Sequence, residues 1–428
     1  MTPVQTRGVA PSRVTLDNRA TVTVQETSST PAVALNATFL AGSLYEPDDL
    51  AGLAYLTARV LDRGTERRPA GVIAEALDER GVSLRIGSTR HTMALSCTCL
   101  AEDFDEVLAI VLDIARRPAF PDEEIAKRRA EAITAIRQDE DNPAARAAEQ
   151  LFEMLYGARH PYGSRTKGTA ASLGRIDRAA ITDFHARRFS PASLSLVIVG
   201  DVEASRAIAA AERDLHGWTG PDPGPVVVAP PSPAPGRRVA RIAMPGKPQS
   251  DIAYGFTSIS RLDPRYYAYW MMNNVLGQFG LGGRLADSIR ERQGMAYYAY
   301  STFDATVGDS ALTVRAGVDP HNVERALASI DAEVLKLGAE GPTEVEVEET
   351  RQFLVGSIPR MLETNDSIAG FLQTSERFGL GLDYDRRLPS LLAGVTLDEI
   401  RSAAADVLHP DRAAVSIAGP DPVPGAPS

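Results

Sequence analysis

An α+β fold built by tandem duplication is what this 428-residue sequence predicts. Three observations predict it. Short strand-like runs and helical stretches occur in both halves, a segment beginning at Leu173 recurs beginning at Leu392, and a proline-dense stretch lies between the two copies. Length alone leads to about two or three domains, each large enough to bury a good core.

In chain order, residues 14–16, 20–24 and 33–40 are short apolar–polar runs that read as strands. Residues 51–61 carry apolar side chains at helical spacing, and 69–80 form a second helix closed by Gly81. Residues 83–99 read as paired strands. Cys97 and Cys99 lie there at i, i+2 and so share one face. Two cysteines are too few for a disulfide framework, and with only His91 nearby they are too few for a metal site. They read as small buried side chains. Residues 104–116 and 122–156 are helical and charge-laced until Pro161 and Gly163 break the pattern, 179–188 is a helix, and 193–199 is a strand ended by Gly200-Asp201.

Between Gly220 and Arg238 the chain reads GPDPGPVVVAPPSPAPGRR. Seven prolines cannot sit inside a helix or sheet, so this is an extended, semi-rigid linker. It divides the sequence into domains at 1–219 and 239–428, joined by 220–238. The two halves then align. LGRIDRAAITDFHARRFSPASLSLVIVGD from Leu173 matches LAGVTLDEIRSAAADVLHPDRAAVSIAGP from Leu392 at a constant offset of 219, and IAEALDERGVSLRIGST from Ile73 lines up with LADSIRERQGMAYYAYST from Leu285. Two matches in the same order make this a duplicated unit of about 200 residues.

Composition excludes several classes of function. Hydrophobic residues are 44% and charged residues 24%, the range of soluble globular chains, and the net charge of −11 argues against a nucleic-acid partner. No run approaches the roughly 18 apolar residues of a membrane span. The N-terminal stretch has no apolar signal-peptide core, so a cytoplasmic location is expected, with the periplasm as the alternative if a signal had been removed. There is no P-loop, no G-x-G-x-x-G after a strand and no G-x-S-x-G, so nucleotide binding and serine hydrolysis lack support.

The most informative stretch is NNVLGQFGLGGRLADSIRERQGMAYYAYSTF, residues 273–303. Gly277, Gly280, Gly282 and Gly283 read either as a helix-ending turn or as a loop approaching a substrate. Leu285 and Ile289 mark a helical face, Gly294 suits a left-handed turn, and 295–303 reads as a strand. Arg290 ends the helix and Tyr297 opens the strand, with Tyr298 as the rival tyrosine facing the other way. Alone, such a pair reads first as a solvated helix-end arginine and a packing tyrosine. Trp270-Met271-Met272 reads as core, and the acidic run Glu344, Glu346, Glu348 and Glu349 as the start of a solvated helix.

Taken together, HPYGSRTKGTAASLGRIDRAAITDFHARRFSPASLSLVIVGDV (residues 160–202) and GGRLADSIRERQGMAYYAYS (282–301) resemble the two half-signatures of the pitrilysin-type (inverzincin, M16) zinc peptidases and their processing-peptidase relatives. The resemblance covers nearly the whole chain. It implies two homologous α/β-roll domains, antiparallel-rich sheets flanked by helices, forming half of a clamshell. Active members carry H-x-x-E-H, with two histidines on one helical face for zinc and the glutamate as general base. Here the three positions hold Tyr55, Ala58 and Arg59. The family's third ligand, a glutamate, falls in ITAIRQDEDNP, where Thr134, Ala135 and Ile136 stand instead. Six histidines exist in the chain and no two lie within four residues. The resemblance therefore implies a degenerate zinc site and no metal in this chain, with Arg59 placing a positive charge where zinc would sit.

The second signature is intact. In the family an arginine and a tyrosine seven residues apart face the zinc, and Arg290 and Tyr297 meet that spacing. Through the resemblance these two, with Tyr298 as an alternative and Gly280, Gly282 and Gly283 as a contacting loop, are the expected substrate-binding residues. The expected role is a non-catalytic subunit of a heterodimeric zinc peptidase acting on peptides, whose H-x-x-E-H-bearing homologue brings the zinc. A structural or assembly subunit and a stand-alone peptide-binding protein are the alternatives.

Overall fold

The computed structural model describes residues 8–224, 227–232, 235–278 and 282–420. Two compact units divide the chain, one from residues 1–136, 165–226 and 358–386, the other from 137–164, 227–357 and 387–428. Neither unit is a contiguous half. Each takes a helical segment from the far side of the linker.

The first unit holds a six-stranded sheet of β1 (Ser12–Thr15), β2 (Thr21–Glu26), β3 (Ala32–Phe39), β4 (Arg85–Ser88), β5 (Met93–Leu100) and β6 (Ser195–Gly200), in the order β1-β2-β6-β3-β5-β4. Only the β2–β6 pair is parallel; the rest are antiparallel. β6 reads SLVIVG, and its side chains divide between the two faces as the strand's period of two requires. Leu196 and Ile198 join Val33, Leu35 and Phe39 in the main core, beneath the helices α1 (Leu53–Val60), α3 (Phe104–Arg116), α7 (Arg178–Arg188) and α8 (Ala204–Leu215). Val197 and Val199 point the other way and pack with Ala34 against Ile368, Ala369 and Leu372 of α12 (Asn365–Arg377). A strand buried on both faces has no use for polar alternation, which is why the run is continuously apolar. Cys97 and Cys99 share the main core, and burial first of all pushes their thiols up to about 12 and about 11, so neither is a reactive thiolate.

The second unit repeats the plan with β7 (Arg238–Ala243), β8 (Ser250–Thr257), β9 (Ala296–Phe303), β10 (Ala311–Val318) and β11 (Ala414–Gly419), ordered β7-β11-β8-β10-β9 with one parallel pair, β7–β11. Here α5 (Pro143–Tyr156) supplies the covering helix: Ala147, Leu151 and Leu155 pack on Ala253, Ala414 and Ala418. Alanines on the sheet let the helix come close, and Arg315 ties it down by donating to the Ala144 carbonyl at 2.5 Å. The duplication holds in detail. α7, capped by Asp177, and β6 recur 219 residues later as α14 (Leu397–Val407), capped by Thr396, and β11.

The helical pattern over 122–156 is two helices, α4 (Asp122–Glu140) and α5. Asn142 ends the run by accepting from the N–H groups of Ala144 and Ala145, and Pro143 occupies the first helical position, where its missing N–H costs nothing. The linker forms no helix or strand among its described residues before β7. It is anchored nonetheless, since Val228 packs on the second unit's core and His160 bonds the Ala229 carbonyl at 2.8 Å.

Candidate functional site

In the first unit the site begins at the start of α1. Gly52 is left-handed (φ 93°), and a Cβ there would lie 2.5 Å from the Lys167 carbonyl oxygen, so the chain needs glycine to enter the helix. Glu46 accepts from the N–H of Gly52 at 2.9 Å and of Ala54 at 2.7 Å, occupying donors that the first helical turn leaves open. Burial pushes its carboxyl up to about 7, with those two N–H groups pulling the other way.

Tyr55 and Arg59 stand one turn apart on α1, with Ala58 buried beside them. The Arg59 guanidinium donates to the Tyr55 hydroxyl at 3.3 Å and to Glu131 Oε2 on α4 at 3.1 Å, and lies 5.6 Å from the Tyr55 ring centroid. Glu131 also receives two bonds from Arg128, at 3.0 and 2.8 Å, and these arginines, Arg128 first, hold its carboxyl below the usual range. Beside the bridge a concavity of about 250 Å³ is lined by Ala58, Arg59, Asp62, Arg63 and the apolar Leu84 and Ile86.

The acid that faces Arg59 is therefore Glu131, one helical turn before Ala135. Sequence reasoning missed it by searching only the ligand position. The available signal was the i, i+4 spacing to Ala135 on one helix face. The set does not fit zinc: a guanidinium takes the place of a histidine and already bonds the neighbouring phenol and carboxylate, and a methyl replaces the general base. Among the described residues no group of three His, Cys, Asp or Glu is placed to hold a metal ion.

In the second unit the helix expected around Leu285 and Ile289 is wound differently from an α-helix. Residues Asn274–Gln278 and Ala286–Glu291 wind as π-helical turns, the latter closed by the Arg292 N–H on the Asp287 carbonyl at 2.9 Å. Gly277 and Gly283 let the two turns touch: a Cβ on Gly283 would lie 2.6 Å from Gly277 Cα, and one on Gly277 would lie 2.9 Å from the Ser301 nitrogen. Gly282 is exposed, and Gly280 lies outside the described residues. Arg284 is clamped by Glu346 at 2.7 and 2.8 Å. Glu346 is thus no bystander in a solvated acidic run at the head of α11 (Glu344–Met361). Although burial works to raise its pKa, Arg284 and Thr343 bring it down to about 2. Met271 and Met272 are fully buried, as core residues should be.

Arg290 is exposed and lies 3.6 Å from the Glu291 carboxylate. Gly294 makes the left-handed turn (φ 62°), and β9 follows as the edge strand. Its pairing with β10 slips between Gly317, opposite Tyr298, and Val318, opposite Ala296. Tyr297 is the extra residue of this β-bulge, and a bulge re-aims the side chain it carries. Tyr297 is 84% exposed, and among the described residues its hydroxyl has no hydrogen-bond partner. Tyr298 is spent internally. Its hydroxyl bonds the buried Asp251, its ring lies over Gly317, where a Cβ would come within 2.6 Å, and burial first, then Asp251, raises its pKa.

A duplicated α+β fold that carries Tyr55, Ala58 and Arg59 on α1 of one unit, and an exposed Arg290 and Tyr297 in the other, is the scaffold to set beside known proteins. Residues 21–169 match the family described as insulinase (peptidase family M16), and 175–354 match the peptidase M16 inactive domain. The chain belongs to the M16 peptidase family. It is 25% identical over 389 residues to an uncharacterized zinc protease of Streptomyces coelicolor, spanning 89% of this chain and 83% of that one. An uncharacterized zinc protease of Mycobacterium leprae is 24% identical over 424 residues, 97% of this chain and 93% of its own. In fold it resembles a peptidase M16 inactive domain from Pseudomonas fluorescens (TM-score 0.90, 24% identity, 98% of this chain and all of that one) and a protease from Helicobacter pylori (0.89, 16%, 96% and all). No helix among the described residues is long and apolar enough to cross a membrane.

Proposed function

We propose that this chain is the non-catalytic, substrate-binding subunit of a heterodimeric zinc peptidase, completing the site of an H-x-x-E-H-bearing homologue with Arg290 and Tyr297. The observation that carries the reading is an asymmetry between the units. The Tyr55–Arg59–Glu131 bridge closes the metal positions, whereas the Tyr297 hydroxyl is exposed at a bulge. A guanidinium such as Arg290 offers a planar fork of donors to peptide carbonyls, and a phenol such as Tyr297 can donate to the oxyanion that develops as water adds to the scissile carbonyl. The metal and the general base belong to the partner.

The test expresses this chain alone and together with an H-x-x-E-H-bearing homologue and follows cleavage of a quenched peptide. The proposal expects no cleavage by this chain alone and cleavage by the mixture above that of the homologue alone. A mixture no more active than the homologue alone leaves the chain as an assembly subunit or an independent peptide binder. Stoichiometric zinc and cleavage by this chain alone would contradict the reading of Tyr55, Ala58 and Arg59.

A further inference from the structure

A second polar concavity lies in the first unit, built from parts that the peptidase reading does not use. It holds about 230 Å³ and is lined by Arg67, Arg68, Arg116, Arg117 and Arg213, with Asp113, Asp214 and His216. Five guanidinium groups meet there on a chain whose net charge is −11. We propose that this pocket binds a small phosphate-type oxyanion, as free phosphate or pyrophosphate or as the phosphate chain of a nucleotide.

The cluster is organised from beneath by one buried carboxylate. Asp113, 5% exposed, accepts from the Thr65 hydroxyl at 2.8 Å, Arg68 at 3.0 Å and Arg117 at 3.2 Å, with Arg67 at 4.0 Å. The Thr65 oxygen accepts in turn from the N–H groups of Arg67 and Arg68, which fixes the loop that carries both arginines. At the end of α3, beside Arg117, Arg116 donates to the carbonyls of Asp214 at 3.5 Å and His216 at 3.1 Å, closing the end of α8, while its guanidinium lies 5.9 Å from the Trp218 ring centroid. Arg213 pairs with Asp214 at 2.9 Å and with Asp105 at 3.5 Å.

The charges do not cancel. Five guanidiniums face Asp113, Asp214 and Asp105, and Asp105 is shared with Arg206. Burial, then the neighbouring Arg117 and Arg67, lowers the Arg116 pKa, with Asp113 opposing, so like charges are being held together at a cost. Helix-end arginines serving only as caps would point outward into water. Here they converge on a concavity, with exposed Arg67 and Arg213 at its rim. Planar forks presented from several sides suit a tetrahedral, multiply charged oxyanion better than a single carboxylate.

The test titrates pyrophosphate, ATP and a tetraglutamate peptide separately into the full chain by calorimetry at low ionic strength, with wild type compared with R67Q/R213Q. That pair leaves the Thr65, Arg68 and Arg117 bonds to Asp113 in place, and circular dichroism checks the fold. The expected result is saturable, salt-sensitive binding of pyrophosphate, weakened at least about tenfold in the variant. Equal affinity for ATP and pyrophosphate assigns the phosphate chain as the recognised group, and tighter ATP binding points to a nucleotide; either supports the proposal. No saturable phosphate binding, equal binding by the variant, or tetraglutamate binding as tightly as pyrophosphate overturns it.

Discussion

The side chains at 55, 59, 131, 297 and 298 carry most of the functional argument. Tyr297 and Tyr298 are adjacent in sequence and opposite in role, which gives a sharp comparison. Tyr298→Phe removes a hydroxyl from Asp251, which is 2% exposed, and is expected to cost about 1–3 kcal/mol in urea unfolding. Tyr297→Phe removes an exposed hydroxyl and should leave stability within about 0.5 kcal/mol. Spacing alone favoured Tyr297, but the bulge that turns it outward is a pairing event between strands and leaves no mark in the sequence. Glu131 was hidden for a related reason. The i, i+4 spacing to Ala135 put it on the right face of α4, but its pairing with Arg59 depends on how α4 lies against α1. A third residue yields a pH prediction. Glu46 titrates near 7 when folded against about 4.5 as an ordinary carboxyl. A raised pKa contributes stability that is fully present below about pH 4.5 and is lost as the pH rises through 7. Glu46→Gln, which keeps an acceptor for the head of α1, should remove this slope and be more stable than wild type at pH 8 by about 1–3 kcal/mol, measured by urea unfolding at pH 5 and 8. A less stable variant at pH 8 would reverse the assignment.

At the scale of elements, strands and helices were largely legible, because alternation and 3.6-residue spacing follow from which face is buried. β6 was visible as an apolar run, and the recurrence of α7–β6 as α14–β11 was visible in the constant offset. The break between α4 and α5 was carried by Asn142-Pro143, a capping signal overridden by the strong helical pattern around it. The π-helical turns at Asn274–Gln278 and Ala286–Glu291 were not legible, since the apolar spacing of Leu285 and Ile289 does not distinguish π from α winding, and the close approach of Gly277 and Gly283 is a tertiary contact. Those glycines, read as a turn or a substrate loop, are packing residues where they are described. Gly283→Ala would force a methyl to within 2.6 Å of Gly277 Cα and should destabilise the protein by about 1–3 kcal/mol in thermal or urea unfolding. A variant as stable as wild type would show that the two turns need not touch.

At the scale of the molecule, the duplication could be read directly, but the exchange of covering helices could not. Nothing in the sequences of α5 and α12 says which sheet each will cover. In the structure α5, from before the linker, packs on β8 and β11, and α12, from after it, packs on β3 and β6. Each unit therefore holds chain from both sides of the linker. Cutting at a protease site inserted after Gly224 should leave two fragments that co-elute by size exclusion under native conditions and separate only in denaturant. The proposed functional division is drawn on the same scale, with Tyr55, Arg59 and Glu131 bonded together in one unit and Arg290 and Tyr297 exposed in the other. The most direct test of that division is kcat/KM for a quenched peptide, measured on this chain reconstituted with an H-x-x-E-H-bearing homologue. Tyr297→Phe is predicted to lower it by about 10²–10³ and Arg290→Ala by at least about tenfold, with assembly and stability unchanged. Undiminished kcat/KM in both variants would contradict the account.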